Sequence, residues 1–466
     1  MPNQKRMNVV SPLDGRYAEQ LGLLPRRMSE GGLIRYRVMV ECHYLMKLCT
    51  TPGTKIRPLT EEEKEQLEKF SLLTNKDLNH ISELEHYGAD GIPAIKHDVK
   101  AVEYYLKDKL AHTSMKDLRE YVHFGLTSED VNNISYALML RDCLNGEMLP
   151  ALEEILKALD TLARDHAADP LLARTHGQPA VPTTFGKEFR VFHARISRQA
   201  EQLRNLHICA KLNGASGNYN AHAAAFPAVD WIKFSSEFIR SFNPERGPML
   251  ENNLFTTQIE PHDSYAELFD ALRRVNTVLL GFCQDIWRYI SAGLVVQKAV
   301  AGEVGSSTMP QKVNPIHFEN AEGNLGMANS MLTFFSAKLP VSRLQRDLSD
   351  STVERNFGAA FGHSLAAYRS IMTGLGRVSV NTEFARAELE QHPEVVAEGI
   401  QTILRREKAA GPYELLCKFT RGRNITAPDL GEFLDGLKVK PAVKAELKKL
   451  SPLTYTGLAA KLAKLH

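Results

Sequence analysis

The chain has 466 residues, 43% of them hydrophobic and 24% charged, the balance of an ordinary globular protein with one to three domains and a sizeable core. Its 57 Lys and Arg stand against 55 Asp and Glu, a formal net charge of +2 that excludes a whole-chain attraction to nucleic acid or to a membrane surface, so any anion site must be built locally. No apolar run is long enough to span a bilayer, the first residues carry no signal-peptide pattern, and the six cysteines form neither a C-x-x-C pair nor a zinc spacing; the expectation is a cytoplasmic protein with free thiols and no metal site.

Along the chain, residues 1–121 read as short helices, including the acidic-basic stretch Glu61–Lys69, separated by loops around Pro52-Gly53 and Gly88–Pro93. A longer helix is predicted over 148–167, ending before Pro170. Over 183–211, Phe185, Phe189, Phe192, Ile196, Leu203 and Leu206 recur at spacings of three, four and seven and mark one helical stripe. The same pattern runs through Leu268, Leu272, Val275, Leu279, Phe282, Ile286, Ile290 and Leu294 and predicts a helix over 262–298, with Pro261 suited to its first turn. Two more helices are expected, one over 318–339 that stops at Pro340 and one over 347–373 ahead of Gly374 and Gly376. Residues 375–466 return to short helices and include the Lys-rich stretch Leu437–Leu450. Strand-like alternation is nearly absent, and no G-x-G-x-x-G, P-loop or βαβ pattern appears. The fold expected is all-α, with a long central helical bundle over 122–374 flanked by smaller helical domains at 1–121 and 375–466.

The segment Gly302-Glu-Val-Gly-Ser-Ser-Thr-Met-Pro-Gln-Lys-Val-Asn-Pro315 lies between two of these long helices. Its glycines, serines and prolines extend neither helix, so 302–315 is a loop. A surface linker has no need of Ser-Ser-Thr, Lys and Asn-Pro in series. Backbone N–H groups freed by glycine, hydroxyls and the charge of Lys312 together make a cradle for an anion.

Gly305-Ser-Ser-Thr-Met-Pro-Gln-Lys-Val-Asn-Pro315 resembles the signature of the fumarase/aspartase superfamily, all-α homotetramers that release fumarate by β-elimination. Five further segments resemble the adenylosuccinate lyase family within it, in its longer bacterial form: Ser11-Pro-Leu-Asp-Gly-Arg-Tyr17, Lys96-His-Asp-Val-Lys-Ala-Val-Glu103, His123-Phe-Gly-Leu-Thr-Ser-Glu-Asp-Val-Asn-Asn133, Arg174-Thr-His-Gly-Gln-Pro179 and Arg343-Leu-Gln-Arg-Asp-Leu-Ser-Asp-Ser-Thr-Val-Glu-Arg-Asn356. The motifs run from residue 11 to 356. The resemblance implies the three-domain fumarase/aspartase-like fold, a homotetramer whose active sites draw on several subunits, nucleotide substrates, and no metal or organic cofactor.

Cleaving the C–N bond of a succinyl-amine requires a base for the proton on the carbon beside a carboxylate, donors for the charge that accumulates on that carboxylate, and an acid for the departing nitrogen. Ser306 matches the family's general base; over Ser307 it is favoured only by position in the motif, and a hydroxyl there needs activation by its setting, by backbone donors and Lys312. His176 matches the general acid, a role that histidine as a residue type suits near neutral pH.

The same resemblance assigns substrate contacts to Arg16 and Tyr17, to His97 and Asp98, to the hydroxyl pair Thr127 and Ser128, to Gln258, to Lys312 and Asn314 at the carboxylate, and to Asn320, Arg346, Ser351, Thr352 and Arg355 on the nucleotide and phosphate side. Lys96 stands where the long bacterial form commonly has Asn, and a lysine there faces an anion by charge alone. A helix after Asp347 would bring Ser351 and Arg355 to one face.

Two other readings compete. Argininosuccinate lyase or fumarase would leave the phosphate-type residues Arg16, Arg346 and Arg355 unexplained. A non-enzymatic, lens-crystallin-like relative would give no reason for keeping both Ser306 and His176.

Overall fold

The computed structural model describes residues 8–298, 309 and 311–465. Helices dominate it. Among the described residues, β structure is confined to four two-stranded pieces. The all-α expectation therefore holds for the framework, and the strands are local braces.

The long apolar stripes do become helices, with bounds set by local stop signals. The predicted 262–298 helix is Asp263–Ser291. It ends at Gly293, which takes φ 79°. There the Leu294 amide bonds back to the Tyr289 carbonyl at 2.9 Å and the Gly293 amide to Ile290 at 3.1 Å, a Schellman stop. Val295–Gln297 then pairs antiparallel with Val378–Val380. The apolar pattern continues through Leu294 and Val295, and that is why periodicity alone overran the helix end. The predicted 183–211 helix shortens to Phe185–Arg204, because Gln178–Thr184 and His207–Ala210 on either side are strands. The predicted 347–373 helix divides into Ser349–Glu354 and Phe357–Leu375. The expectations for 148–167 and 318–339 are met by Leu149–Asp165 and Ile316–Lys338.

The chain gathers into two compact units. One takes the chain up to Leu152, Gln199–Thr277 and Gly323–Arg369; the other takes Glu153–Arg198, Val278–Glu322 and the chain from Ser370 onward. In the first, helix Glu30–Thr50 starts at Ser29, whose hydroxyl accepts from the Gly32 amide. Its buried stripe is interrupted by two charges that are themselves buried, Arg37 and Glu41, each 1% exposed. Phe269 meets Phe335, Phe357 and Phe361 with ring centroids 4.9–6.5 Å apart, contacts worth about 0.5–1.5 kcal/mol each beyond their buried area.

The second unit has its own aromatic core, with Phe282 against Phe192 at 5.3 Å and Phe318 at 6.4 Å. Towards its C-terminal end the short helices close over Val396, Ile400, Leu404, Leu434 and Leu447.

Candidate active site

In the first unit, helix Ser128–Cys143 begins at Thr127 and helix Asp98–Ala111 begins at His97. Both N-termini border one cavity of about 310 Å³, lined by His97, Asp98, Thr127, Ser128, Asn132, Gln258, Arg346, Leu348 and Ser351. Unpaired amides and the aligned peptide dipoles make each helix start attractive to anions. Two such starts beside an arginine make this the natural seat of a negatively charged group.

The geometry is held from behind. Asp130 accepts from the Thr127 amide at 2.9 Å, and also from the Asn213 and Gly214 amides. It is paired at 3.0 Å with Lys211, both side chains being fully buried. One carboxylate thus fixes the start of the 128–143 helix to the segment that follows Lys211. There the Ala215 carbonyl accepts from Gln258 at 3.3 Å. Gln258 in turn accepts from Arg346 at 3.3 Å, and the far side of the Arg346 guanidinium lies 3.2 Å from Glu129.

On the other helix, His97 Nδ1 accepts from the Lys100 amide at 3.3 Å, which leaves Nε2 to face the Ser128 hydroxyl at 3.4 Å. Asp98 accepts from Arg37 at 2.7 Å and from Arg355 at 2.9 Å. Burial alone would raise its carboxyl, but the charge and hydrogen bond of Arg37, the Val99 amide and the Arg355 charge together hold it below the usual carboxylate range. Arg37 also donates to Asn132 at 2.9 Å. Sequence reading missed Arg37, Asn132 and Leu348. The available signal was an arginine inside the apolar stripe of the 30–50 helix, which predicts a buried partner.

The remaining sequence-predicted residues fall elsewhere. Arg16 and Tyr17 sit on a turn of the first unit in which the Tyr17 amide bonds to the Pro12 carbonyl at 2.9 Å. Lys96, at φ 55°, gives its ammonium to the His86 carbonyl at 2.7 Å and does not line the cavity. Thr352 and Arg355 are exposed at the end of the 349–354 helix, and Arg355 also pairs with Glu30. Lys312, Asn314 and Asn320 belong to the second unit; Lys312 is exposed, and the neighbouring Val313 carbonyl accepts from Gln297 at 2.8 Å. Ser306 and Ser307 lie outside the described residues.

His176 occupies the tip of a β-hairpin in the second unit. Strands Pro170–Thr175 and Gln178–Thr184 pair antiparallel, with Thr175 opposite Gln178. The turn is His176-Gly177, with φ 52° and 75°, the two left-handed residues of a type I′ turn that matches the twist of the strands it joins. The imidazole is exposed there, while the strand bases at Leu171 and Leu172 are buried at 1% and 2% exposure.

The fold is that of the fumarate lyases. A fumarate lyase from Mesorhizobium sp. BNC1 superposes with a TM-score of 0.72 at 18% identity over 96% of both chains. The 3-carboxy-cis,cis-muconate lactonizing enzyme of Pseudomonas putida follows at 0.69 and 21% over 94% of both. Within that class, a family model described as lyase matches residues 63–329 and one described as adenylosuccinate lyase C-terminal matches 342–456. Adenylosuccinate lyases of Vibrio cholerae (45% identical, covering 98% of both chains), Escherichia coli K12 (44%, 97% of both) and Dictyostelium discoideum (43%, 97% of both) are similar over nearly their whole length. The chain belongs to the adenylosuccinate lyase family and is a lyase.

Proposed function

We propose that this enzyme splits adenylosuccinate into AMP and fumarate, and the succinylated aminoimidazole carboxamide ribotide of purine synthesis into its carboxamide and fumarate. Full-length similarity to adenylosuccinate lyases supports the reaction. The observation that carries the substrate class is the cavity where the starts of the 98–111 and 128–143 helices meet Arg346, a site made for an anion such as a nucleotide phosphate or a succinyl carboxylate.

In this reading Ser306 takes the proton from the carbon beside the succinyl carboxylate. The electron pair left behind forms the new C=C bond, the C–N bond breaks, and His176 gives a proton to the departing nitrogen. Lys312 and Asn314 hold the carboxylate on which charge accumulates. Thr127 and Ser128 are the hydroxyl pair that holds a carboxylate, and Gln258 contacts the substrate's middle. Arg16, Tyr17, His97, Asp98, Asn320, Arg346, Ser351, Thr352 and Arg355 hold its nucleotide and phosphate side, with Lys96 behind them. The enzyme works in the cytoplasm as a homotetramer that shares its active sites between subunits. Met327 and Phe334, each 54% exposed on the long 316–338 helix, suit burial against another copy.

Ultraviolet assays on adenylosuccinate, argininosuccinate and malate test the proposal. Turnover of adenylosuccinate alone is expected; turnover of either other substrate in its place would overturn it.

A further inference from the structure

Behind Arg346 lies a group of ionisable side chains that the proposed chemistry does not use. Glu129, His262 and Glu354 are 1%, 0% and 4% exposed, and each offers an atom within 4.8 Å of the other two. They come from three separated stretches of chain. Glu129 follows Ser128 at the start of the 128–143 helix. His262 sits at φ 65°, immediately before the 263–291 helix, where its amide donates to Glu260 at 2.7 Å. Glu354 ends the short helix that carries Ser351 and precedes Arg355.

His262 Nε2 lies 3.4 Å from Glu354 Oε1, and Glu129 Oε2 lies 3.2 Å from the Arg346 guanidinium. Asp350 and Glu260 add further carboxyls, and Tyr265 and Tyr136 supply neutral phenols. Glu129 Oε1, Glu354 Oε1, Asp350 Oδ2 and Arg346 Nε make no well-aligned hydrogen bond. A buried network with open valences responds strongly to the gain or loss of one charge.

We propose that Glu129, His262 and Glu354 act as one buried charge cluster that sets the position of Arg346 and of the 349–354 helix, and thereby the enzyme's affinity for the anionic end of its substrate. His262 is the positioning residue at its centre. The inference rests on the reading of Arg346 and Ser351 as substrate contacts. The spacing would also suit a metal ion, but the Arg346 guanidinium already sits against Glu129, and a second cation there would meet direct repulsion.

The protonation states agree with this geometry. Burial, and then the Glu354 charge, push the Glu129 carboxyl up to about 8. Burial would lower His262, but Glu354, Glu260 and Glu129 more than offset it and carry it to about 9. At neutral pH an imidazolium therefore stands between carboxyls that compete for protons. It loses its charge as pH rises through about 9, and Arg346 is then left facing a more negative cluster.

The test compares His262→Gln, Arg346→Ala and the double variant His262→Gln/Glu354→Gln in the full-length enzyme. The readouts are melting temperature, KM and kcat on adenylosuccinate, and the pH profile of kcat/KM. His262→Gln is expected to raise KM about tenfold with kcat within about threefold of the parent. The alkaline fall of kcat/KM that follows loss of the His262 charge should disappear from the profile, because glutamine has no charge to lose. The double variant, which removes both opposed charges, should recover most of the KM. If Arg346→Ala raises KM while a folded His262→Gln leaves KM and the pH profile as in the parent, the cluster does not position the site. If Arg346→Ala itself leaves KM unchanged, the reading of the site fails first. Should His262→Gln fold poorly, the double variant decides alone: a folded double variant with KM still raised as far as in Arg346→Ala overturns the proposal.

Discussion

The cavity at the start of the 128–143 helix and the hairpin at 170–184 are built in opposite ways. Three of the residues around the cavity are braced from behind: Thr127 through its amide to Asp130 and on to Lys211, Arg346 through Gln258 to the Ala215 carbonyl, and Asp98 to Arg37. His176 stands exposed on a two-residue turn whose shape rests on backbone dihedrals. Gripping a substrate calls for donors that do not relax when the ligand arrives, and a buried network provides them. Delivering one proton calls only for an imidazole that can reach its target. Changes at the two places should therefore have different kinetic signatures.

The largest expected effect is on the hairpin side of that contrast. His176→Ala should lower kcat by ~10²–10⁴, as one acid–base group does, with KM within about threefold of the parent. Its melting temperature should not change, because the side chain is exposed at the tip. Ser306→Ala should fall equally far in kcat and bind adenylosuccinate normally; if Ser307→Ala has that phenotype instead, the base is the second serine. Subunit exchange between the His176→Ala and Ser306→Ala variants should restore measurable activity if they form the proposed tetramer, and no recovery in confirmed hybrids would contradict shared sites.

Smaller, and of the opposite kinetic kind, is Arg346→Ala. We expect KM for adenylosuccinate and the inhibition constant of AMP to rise together by about tenfold or more, as for the loss of a charge-assisted contact. Smaller still is Gly177→Ala. A Cβ there meets nothing within 4 Å, so the change isolates the cost of φ 75°. A penalty of roughly 1–2 kcal/mol should loosen the turn, lower the melting temperature slightly and reduce kcat without touching KM. An unchanged kcat would mean that the turn does not aim His176.

The smallest effect is a pH dependence on the cavity side. The folded Asp98 carboxyl is held below its unfolded value, so its contribution to stability is complete above the ordinary carboxylate range and is lost as pH falls through the folded value. Asp98→Asn should therefore lower the melting temperature near neutrality, and the gap to the parent should close in acid.

The same contrast explains what was legible in the sequence. The helices of 263–291 and 316–338 follow from spacing alone, because a long stripe of Leu, Phe and Ile leaves one solution. The Schellman stop at Gly293 was equally present, but the apolar Leu294 and Val295 after it hid it. The hairpin was not predicted, because Pro170, Pro179 and Pro182 discourage a strand, though His-Gly between Thr175 and Gln178 is a turn signal.

The candidate site residues were named by a family resemblance. The network behind them was not, since its partners are far apart in the chain: Arg37 with Asp98, Gln258 with Arg346, Glu129 with His262 and Glu354. No local pattern encodes such pairs. Only an arginine or a glutamate standing in an apolar stripe hints at them.

The central claim, that binding resides in the braced cavity and proton transfer on the hairpin, is tested most directly by calorimetric titration of AMP into the parent, His176→Ala and Arg346→Ala. The account predicts that His176→Ala binds AMP within about threefold of the parent, whereas Arg346→Ala loses about tenfold or more. Equal loss in both variants, or normal binding by Arg346→Ala, would contradict it.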